Sequence, residues 1–154
     1  MSDDDRDFLD HPFITDLPAE AQQHLKDHVI GPVTWKAGTE VFREGGDADV
    51  WYLIMHGTVA LEVHTPGRED HVVMTLSDGD VLGWSWLFPP YRWSFGAHVR
   101  TETEALEVDG AKLRAHLENC KELGYDVLYQ FSRLIVSRMN ATRLQLLDLY
   151  ADRT

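Results

Sequence analysis

The segment between residues 33 and 108 constrains the fold most, because its apolar residues recur at every second position in short runs. Val59, Leu61 and Val63 alternate with smaller or polar residues, and a similar alternation resumes after a break centred on Gly67. Period-two alternation indicates half-buried β-strands, and a glycine-containing break between two such runs indicates a hairpin. Further clusters of Gly, Asp, Ser and Pro divide the segment into short strands. The pattern predicts a multi-stranded antiparallel barrel over residues 33–108.

Helical periodicity flanks this segment on both sides. Pro18 suits a first helical turn, and the apolar residues around it predict a short helix over residues 17–29. After Asp109, a candidate helix cap, apolar residues recur at spacings of three or four and predict helices over residues 110–149. The acidic segment 1–16 is expected to be a flexible tail, which leaves one domain over residues 17–154.

Composition limits the classes of function. The 26 acidic and 14 basic residues give a formal net charge of -12, which disfavours binding to nucleic acid or to anionic lipid. The single cysteine, Cys120, excludes an internal disulfide and, together with an acidic N-terminus and the absence of any long apolar run, predicts a cytoplasmic protein without a membrane segment.

Three short motifs occur in a fixed order: 42–48 (FREGGDA), 51–59 (WYLIMHGTV) and 79–83 (GDVLG). Together with the flanking helices, they resemble the cyclic-nucleotide-binding domain of the Crp/Fnr family of bacterial regulators. The resemblance covers roughly residues 17–149. It implies a mainly β fold with flanking α-helices: a double-stranded β-helix, or jelly-roll barrel, with a short N-terminal helix and a long C-terminal dimerisation helix.

The resemblance also implies a ligand site after the third motif. Its expected members share the loop that would cup the sugar-phosphate of a cyclic nucleotide: Leu82, Gly83, Trp84, Ser85, Arg92, Trp93 and Ser94. Two of them depart from the family pattern. Trp84 stands where the family has the glutamate that holds the ribose, and Trp93 separates Arg92 from the serine that should follow the phosphate-binding arginine. An indole offers one donor and no acceptor, so ribose recognition of the usual kind is lost.

Other reactive residues have simpler interpretations. No two of the histidines His56, His64, His71 and His98 form the close pair that a cupin-like metal site needs, so no metal site is predicted. The acid pairs around Asp78 and Glu102 lie in turns or on solvated strands, which gives no sign of catalysis. Cys120 is interpreted as a small packing residue.

The predicted function is therefore that of a regulatory, non-catalytic effector or sensor domain with an altered ligand preference. Its ligand would be a cyclic nucleotide or another small anionic or aromatic molecule. The alternative is a ligand-free protein-interaction module whose pocket is filled by its own tryptophans; an enzyme of the cupin kind is a third possibility. A homodimer is expected through the last helix, and a regulatory protein is a possible further partner. DNA binding by this chain alone is not expected, since it ends where the family's DNA-binding domain would begin. The expected interface residues share one face of the helix: Leu128, Phe131, Ile135, Met139, Thr142 and Leu146.

Overall fold

The computed structural model describes residues 2–151. Eleven elements follow one another along the chain: α1 (Asp3–Asp10), α2 (Pro12–Thr15), α3 (Ala19–Lys26), β1 (Val29–Trp35), β2 (Glu40–Phe42), β3 (Val50–Val63), β4 (His71–Leu76), β5 (Val81–Leu82), β6 (Gly96–Asp109), α4 (Gly110–Asn119) and α5 (Lys121–Ala151). The predicted β region therefore begins at Val29, earlier than residue 33, and the predicted helix before it is shorter at both ends.

The strands form one curved antiparallel sheet of six strands in which β6 is central. β1, β2 and β3 all pair with β6, while β4 and β5 pair with β3. The hairpin between β3 and β4 turns at Gly67, which has a φ of +78°. This confirms the hairpin that the alternating pattern predicted.

Gly57 lies where β3 passes very close to β6. Its φ is +121°, and a Cβ placed there would lie 2.6 Å from the Cα of Thr103 on β6. Only glycine tolerates both that backbone conformation and that proximity. The pairing register of the two strands shifts at this point, which allows the long strands to bend around the barrel.

Two apolar cores lie on opposite faces of the sheet. The barrel interior holds one, built from Tyr52, Ile54, Val59, Leu61, Leu76, Leu82, Ala97, Val99 and Ala105. The other lies under the helices and centres on an aromatic cluster. In that cluster Trp51 stacks on Trp86 at 5.5 Å between ring centroids, and Phe13 contacts Phe131 at 4.8 Å. The second core joins the helices to the barrel.

Residues 2–16 do not form the flexible tail that was expected over residues 1–16; Met1 lies outside the described residues. The segment folds as α1 and α2, and Phe8 and Ile14 are fully buried in the second core. The Ser2 hydroxyl caps α1 by accepting a hydrogen bond from the amide of Asp5 at 3.2 Å. The acidic residues of the first turn interact favourably with the positive end of the helix dipole. The high acidic content obscured these apolar anchors in the sequence.

Candidate ligand site and dimer helix

The loop between β5 and β6 carries the predicted ligand site and is fixed by backbone hydrogen bonds to the turn at Gly45. The amide of Gly45 donates to the carbonyl of Trp93 at 2.8 Å, and the amide of Trp93 donates to the carbonyl of Gly46 at 2.9 Å. A further bond joins the amide of Ala48 to the carbonyl of Tyr91 at 2.8 Å. The glycine-rich turn of the first motif thus positions the loop of the site.

Trp93 fills most of the space beside Gly83. Its ring stacks on Phe42 with centroids 3.8 Å apart and planes 7° from parallel. Gly83 has a φ of +100°, and a Cβ there would lie 2.6 Å from Cζ3 of Trp93. The cavity that remains has a volume of about 20 Å³, which is close to the space that a single water occupies.

Five of the seven predicted ligand residues line this small cavity: Gly83, Trp84, Ser85, Trp93 and Ser94. The other two lie elsewhere. Leu82 is buried in the barrel interior, where its backbone pairs with Tyr52. Arg92 does not line the cavity; its Nη1 donates to the carbonyl of Gly45 at 3.1 Å and lies 3.4 Å from Oδ1 of Asp47. Leu82 and Arg92 therefore do not line this cavity, and their role in ligand binding stays a prediction.

Arg138 of α5 is a member of the site that the sequence analysis missed. Its side chain is 8% exposed, and its Nη2 donates to the carbonyl of Val81. The guanidinium carbon lies 5.2 Å from the ring centroid of Trp84, within the range of a cation–π contact. Burial lowers the pKa of Arg138 to about 10, against the opposing attraction of Asp80. The sequence did contain a signal for its burial: Arg138 lies four residues after Leu134, on the face of α5 that packs against the barrel.

A wider groove adjoins the closed cavity and shares Leu61, Trp84, Phe95 and Arg138 with it. The groove has a volume of about 490 Å³ and runs between the barrel and the second half of α5. Residues of β4 line one wall, and Ile135, Met139, Thr142 and Leu146 line the other. Trp84 thus lines both the small cavity beside Gly83 and the wider groove beside α5.

The buried part of α5 ends at Arg138. Leu123, Val127 and Phe131 are buried against the second core, whereas every residue from Met139 to Asp148 is exposed. A helix of 31 residues is about 46 Å long, more than one small barrel can cover. The predicted long C-terminal helix is present, with an uncovered distal half.

Phe131, which was predicted to lie at the dimer interface, is buried in the core of its own chain. It is fully buried and packs edge-on against Phe13, Trp51 at 5.1 Å and Trp86 at 5.4 Å. Ile135 and Thr142 line the groove, while Leu128, Met139 and Leu146 are exposed. Five of the exposed large apolar residues of α5 follow a heptad-like spacing: Tyr125, Tyr129, Val136, Met139 and Leu146.

The acid pair near Asp78 serves the turn between β4 and β5. The Oδ1 atom of Asp78 accepts from the amide of Gly57 at 2.8 Å, and this hydrogen bond is the main reason that the pKa of the carboxyl lies below its usual value. Oδ2 of Asp80 accepts from the amide of Ser77 at 2.8 Å. These bonds give both carboxylates structural partners.

Among residues 2–151, no three His, Cys, Asp or Glu side chains converge in a way that could hold a metal ion. Within the same residues, no helix has the length and apolar character needed to cross a bilayer.

The family model of the cyclic nucleotide-binding domain matches residues 32–120 of the sequence, which are more than half of the chain. The chain belongs to this family. A CRP-like cAMP-activated global transcriptional regulator of Mycobacterium tuberculosis is 27% identical over 120 residues, which are 78% of this chain and 52% of that protein. The chain spans about half the length of the curated relatives it matches.

Solved structures of the family share the fold. A putative cyclic nucleotide-binding protein from Geobacter metallireducens has a TM-score of 0.77 with 22% identity, over 90% of this chain and 99% of that one. A cyclic nucleotide-binding domain from Methylobacillus flagellatus has a TM-score of 0.78 with 17% identity, over 94% of this chain and 83% of that one. The regulatory subunit of a cAMP-independent protein kinase A from Trypanosoma brucei has a TM-score of 0.65 with 20% identity, over 83% of this chain and 45% of that one. The jelly-roll architecture with a long C-terminal helix is confirmed.

Proposed function

We propose that this chain is a non-catalytic regulatory domain that responds to an effector other than a cyclic nucleotide. The observation that carries the proposal is the ring of Trp93, which lies against Gly83 and leaves a cavity of about 20 Å³ among residues where the family resemblance predicts the ligand. A cyclic nucleotide needs several hundred Å³ and would have to displace this ring from its stack on Phe42.

The polar groups of the site also suit a cyclic nucleotide poorly. Trp84 offers no acceptor for the ribose hydroxyls, and Arg92 is engaged with Gly45 and Asp47 outside the cavity. Each charge-assisted hydrogen bond that is lost costs about 1.5–3 kcal/mol, so affinity should fall by about two or more orders of magnitude. The relative from Mycobacterium tuberculosis is described as cAMP-activated, and we expect this chain to differ from it in that respect.

Calorimetric titration with cyclic AMP and cyclic GMP tests this proposal. We expect no binding at micromolar ligand. Sub-micromolar binding of either nucleotide to the wild-type protein would refute it. A double variant, Trp84→Glu with Trp93→Ala, restores an acceptor and opens the cavity; any gain in cyclic AMP affinity over the Trp93→Ala variant alone would assign that gain to the carboxylate.

We further propose that the domain forms a homodimer through α5. Five side chains of α5 that are 50% to 68% exposed are separated by three, four or seven positions, as in a heptad repeat: Tyr125, Tyr129, Val136, Met139 and Leu146. Such a stripe is typical of a helix that packs against a second helix. This surface replaces the predicted one that included Phe131.

Sedimentation velocity of two matched variants tests the dimer. Val136→Glu places a charge on the stripe and should yield monomers, whereas Ser137→Glu places the same charge on an exposed position outside the stripe and should leave the dimer intact. A wild-type protein that is monomeric at micromolar concentration would refute this part of the proposal.

A protein-interaction module without a ligand is the second candidate, and the closed cavity beside Gly83 is the observation that favours it. Such a module would act through its surface, with its acidic charge and α5 as contacts for a regulatory protein. The net charge of -12 supports the expectation that it does not bind duplex DNA. The two candidates differ in whether any small molecule changes the stability of the dimer.

A further inference from the structure

Three histidine rings meet where α3 approaches α4. His24 lies in the last turn of α3, His28 follows that helix by two residues, and His116 lies in the last turn of α4. The ring centroid of His116 is 5.0 Å from that of His24 and 5.5 Å from that of His28. All three residues are partly buried, and Oε1 of Glu20 lies 3.9 Å from Nε2 of His24. Folding thus collects three titratable rings between two helices.

The contact between His28 and His116 depends on the protonation state of the two rings. Nε2 of His28 lies 3.2 Å from Nδ1 of His116. A hydrogen bond between these nitrogens requires that one carries a proton and the other accepts it. When both rings are protonated, both nitrogens are donors, so the hydrogen bond is lost and two positive charges lie side by side. An imidazole side chain ordinarily changes its charge between about pH 5 and pH 8.

This pair differs from the other histidines in its surroundings. Among residues 2–151, neither His28 nor His116 has a carboxylate within ion-pair distance. His56, His64 and His98 each have at least one carboxylate at that distance. A carboxylate in contact stabilises an imidazolium, whereas a second imidazolium in contact destabilises it. Protonation therefore disrupts the pair, while it strengthens the other histidine contacts.

The groups that surround His28 determine the direction of the pH effect. Partial burial is the main reason that the pKa of His28 lies below its ordinary value, and repulsion by His116 adds to it. His24 repels it more weakly, and the carboxylates of Asp27 and Asp109 attract it without reversing the shift. Because the folded form binds this proton less readily than the unfolded chain, the contact is stable above about pH 6.5 and is lost as the pH falls further.

His116 lies beside the junction between α4 and α5. A Cβ placed at Gly124 on α5 would lie 3.1 Å from the carbonyl oxygen of Leu117, so the start of α5 rests directly on the last turn of α4. The first turn of α4 has its own anchor, since the carboxylate of Asp109 accepts from the amide of Lys112 at 2.9 Å. Loss of the histidine contact therefore acts on the last turn of α4 and on the start of α5.

We propose that His24, His28 and His116 form a proton-sensitive contact that holds the last turn of α4 against α3 at neutral pH and releases it on acidification. Since the start of α5 rests on that turn, release also removes part of the support of α5. The inference goes beyond the proposed function, because a proton is the only ligand that it requires.

Hydrogen exchange of the ligand-free chain, followed by NMR, tests this proposal. Between about pH 7.5 and pH 5.5 we expect the protection factors of amides in the last turn of α4 to fall about tenfold, the factor that one unit of pKa represents. The amides of β3 are the reference and should lose less protection. His116→Gln retains a hydrogen-bonding side chain that does not titrate, and it should keep the protection of α4 at the lower pH. His71→Gln removes an exposed histidine outside the cluster and should behave like the wild type.

The ring resonances of wild-type His28 keep the test decisive if His116→Gln fails to fold. We expect His28 to titrate below about pH 6.5, with the amide shifts in the last turn of α4 following at the same midpoint. A midpoint at or above that value, or α4 amides that do not respond, would overturn the inference. The same holds for an equal loss of protection in β3, an equal loss in His116→Gln, or retained protection in His71→Gln.

Discussion

Two neighbouring spaces on opposite sides of Trp84 differ in what fills them. Beside Gly83, the ring of Trp93 stacks on Phe42 and leaves about 20 Å³. On the α5 side, no side chain of the described residues fills the space, and a groove of about 490 Å³ remains. The domain has the fold of its family, and the side chain of Trp93 fills the space beside Gly83.

The small cavity and the groove differ because different elements form their walls. Both sides of the filled cavity come from segments held to each other by backbone hydrogen bonds between the loop at Trp93 and the turn at Gly45. The groove has one wall on the barrel and the other on the exposed half of α5. The walls of the small cavity are fixed relative to each other, so a single ring can pack between them. The walls of the groove belong to two elements that can move relative to each other, which suits the groove to respond to a ligand.

The largest effect should come from removing the plug. Trp93→Ala deletes a 6% exposed ring and its stack on Phe42, and we expect the free energy of unfolding to fall by about 3–5 kcal/mol. Met139→Ala truncates a 62% exposed side chain of the groove and should cost less than about 1 kcal/mol. Chemical denaturation measures both. Equal losses would mean that the two spaces are packed alike.

A smaller loss is expected when the filled cavity is overpacked. Gly83→Ala places a methyl group against the ring of Trp93 in a left-handed backbone conformation, at a cost of about 2–4 kcal/mol. Gly67→Ala is the control, because Gly67 has a similar positive φ but nothing within 4 Å of the added Cβ. The difference between the two variants in urea denaturation isolates the contact with Trp93. No difference would show that the ring moves freely.

Arg138 links the two spaces, and its stabilising effect should be intermediate. Arg138→Met removes the hydrogen bond to Val81 and the contact with Trp84 but retains apolar volume, so we expect a loss of about 1–3 kcal/mol in the free energy of unfolding. Arg133→Met, on the exposed side of α5, should change that free energy by less than about 0.5 kcal/mol. A stabilised Arg138→Met variant would indicate that the buried charge is kept for binding rather than for folding.

The pH dependence of stability should come from outside both spaces, since neither is lined by a histidine. Burial lowers the pKa of His11, whose Nδ1 accepts from the amide of Phe13 and whose Nε2 contacts the carbonyl of Ile54. The unfolded chain therefore binds a proton more readily, and stability should fall as pH drops below about 6.5.

Thermal unfolding between pH 7.5 and pH 5 checks this sign. Each unit of pKa depression at His11 contributes up to about 1.4 kcal/mol to the loss. His11→Asn should flatten the profile relative to the wild type. A wild-type stability that rises on acidification would contradict the assignment.

The sequence itself determined the order of the elements and the family. Period-two alternation around Gly67 and the helical spacing after Asp109 reflect the local geometry of strands and helices, so both were visible without the fold. The presence of Trp84 where the family has a glutamate was equally visible in the sequence. The position follows directly after the third motif, so the order of the motifs was enough to identify it. Polarity misled at residues 1–16, where the few apolar residues that anchor α1 and α2 are outnumbered by acids.

Only the tertiary structure decided which side chains share a space. Trp93 reaches Phe42 and Arg138 reaches Val81 across separations of 51 and 57 residues in the chain. The same holds for α5: periodicity marks an apolar stripe, but whether Phe131 meets the core and Met139 meets solvent depends on where the barrel ends beside the helix. Spacing along a chain reports the face of an element, and contact between faces is set by the packing of the whole domain.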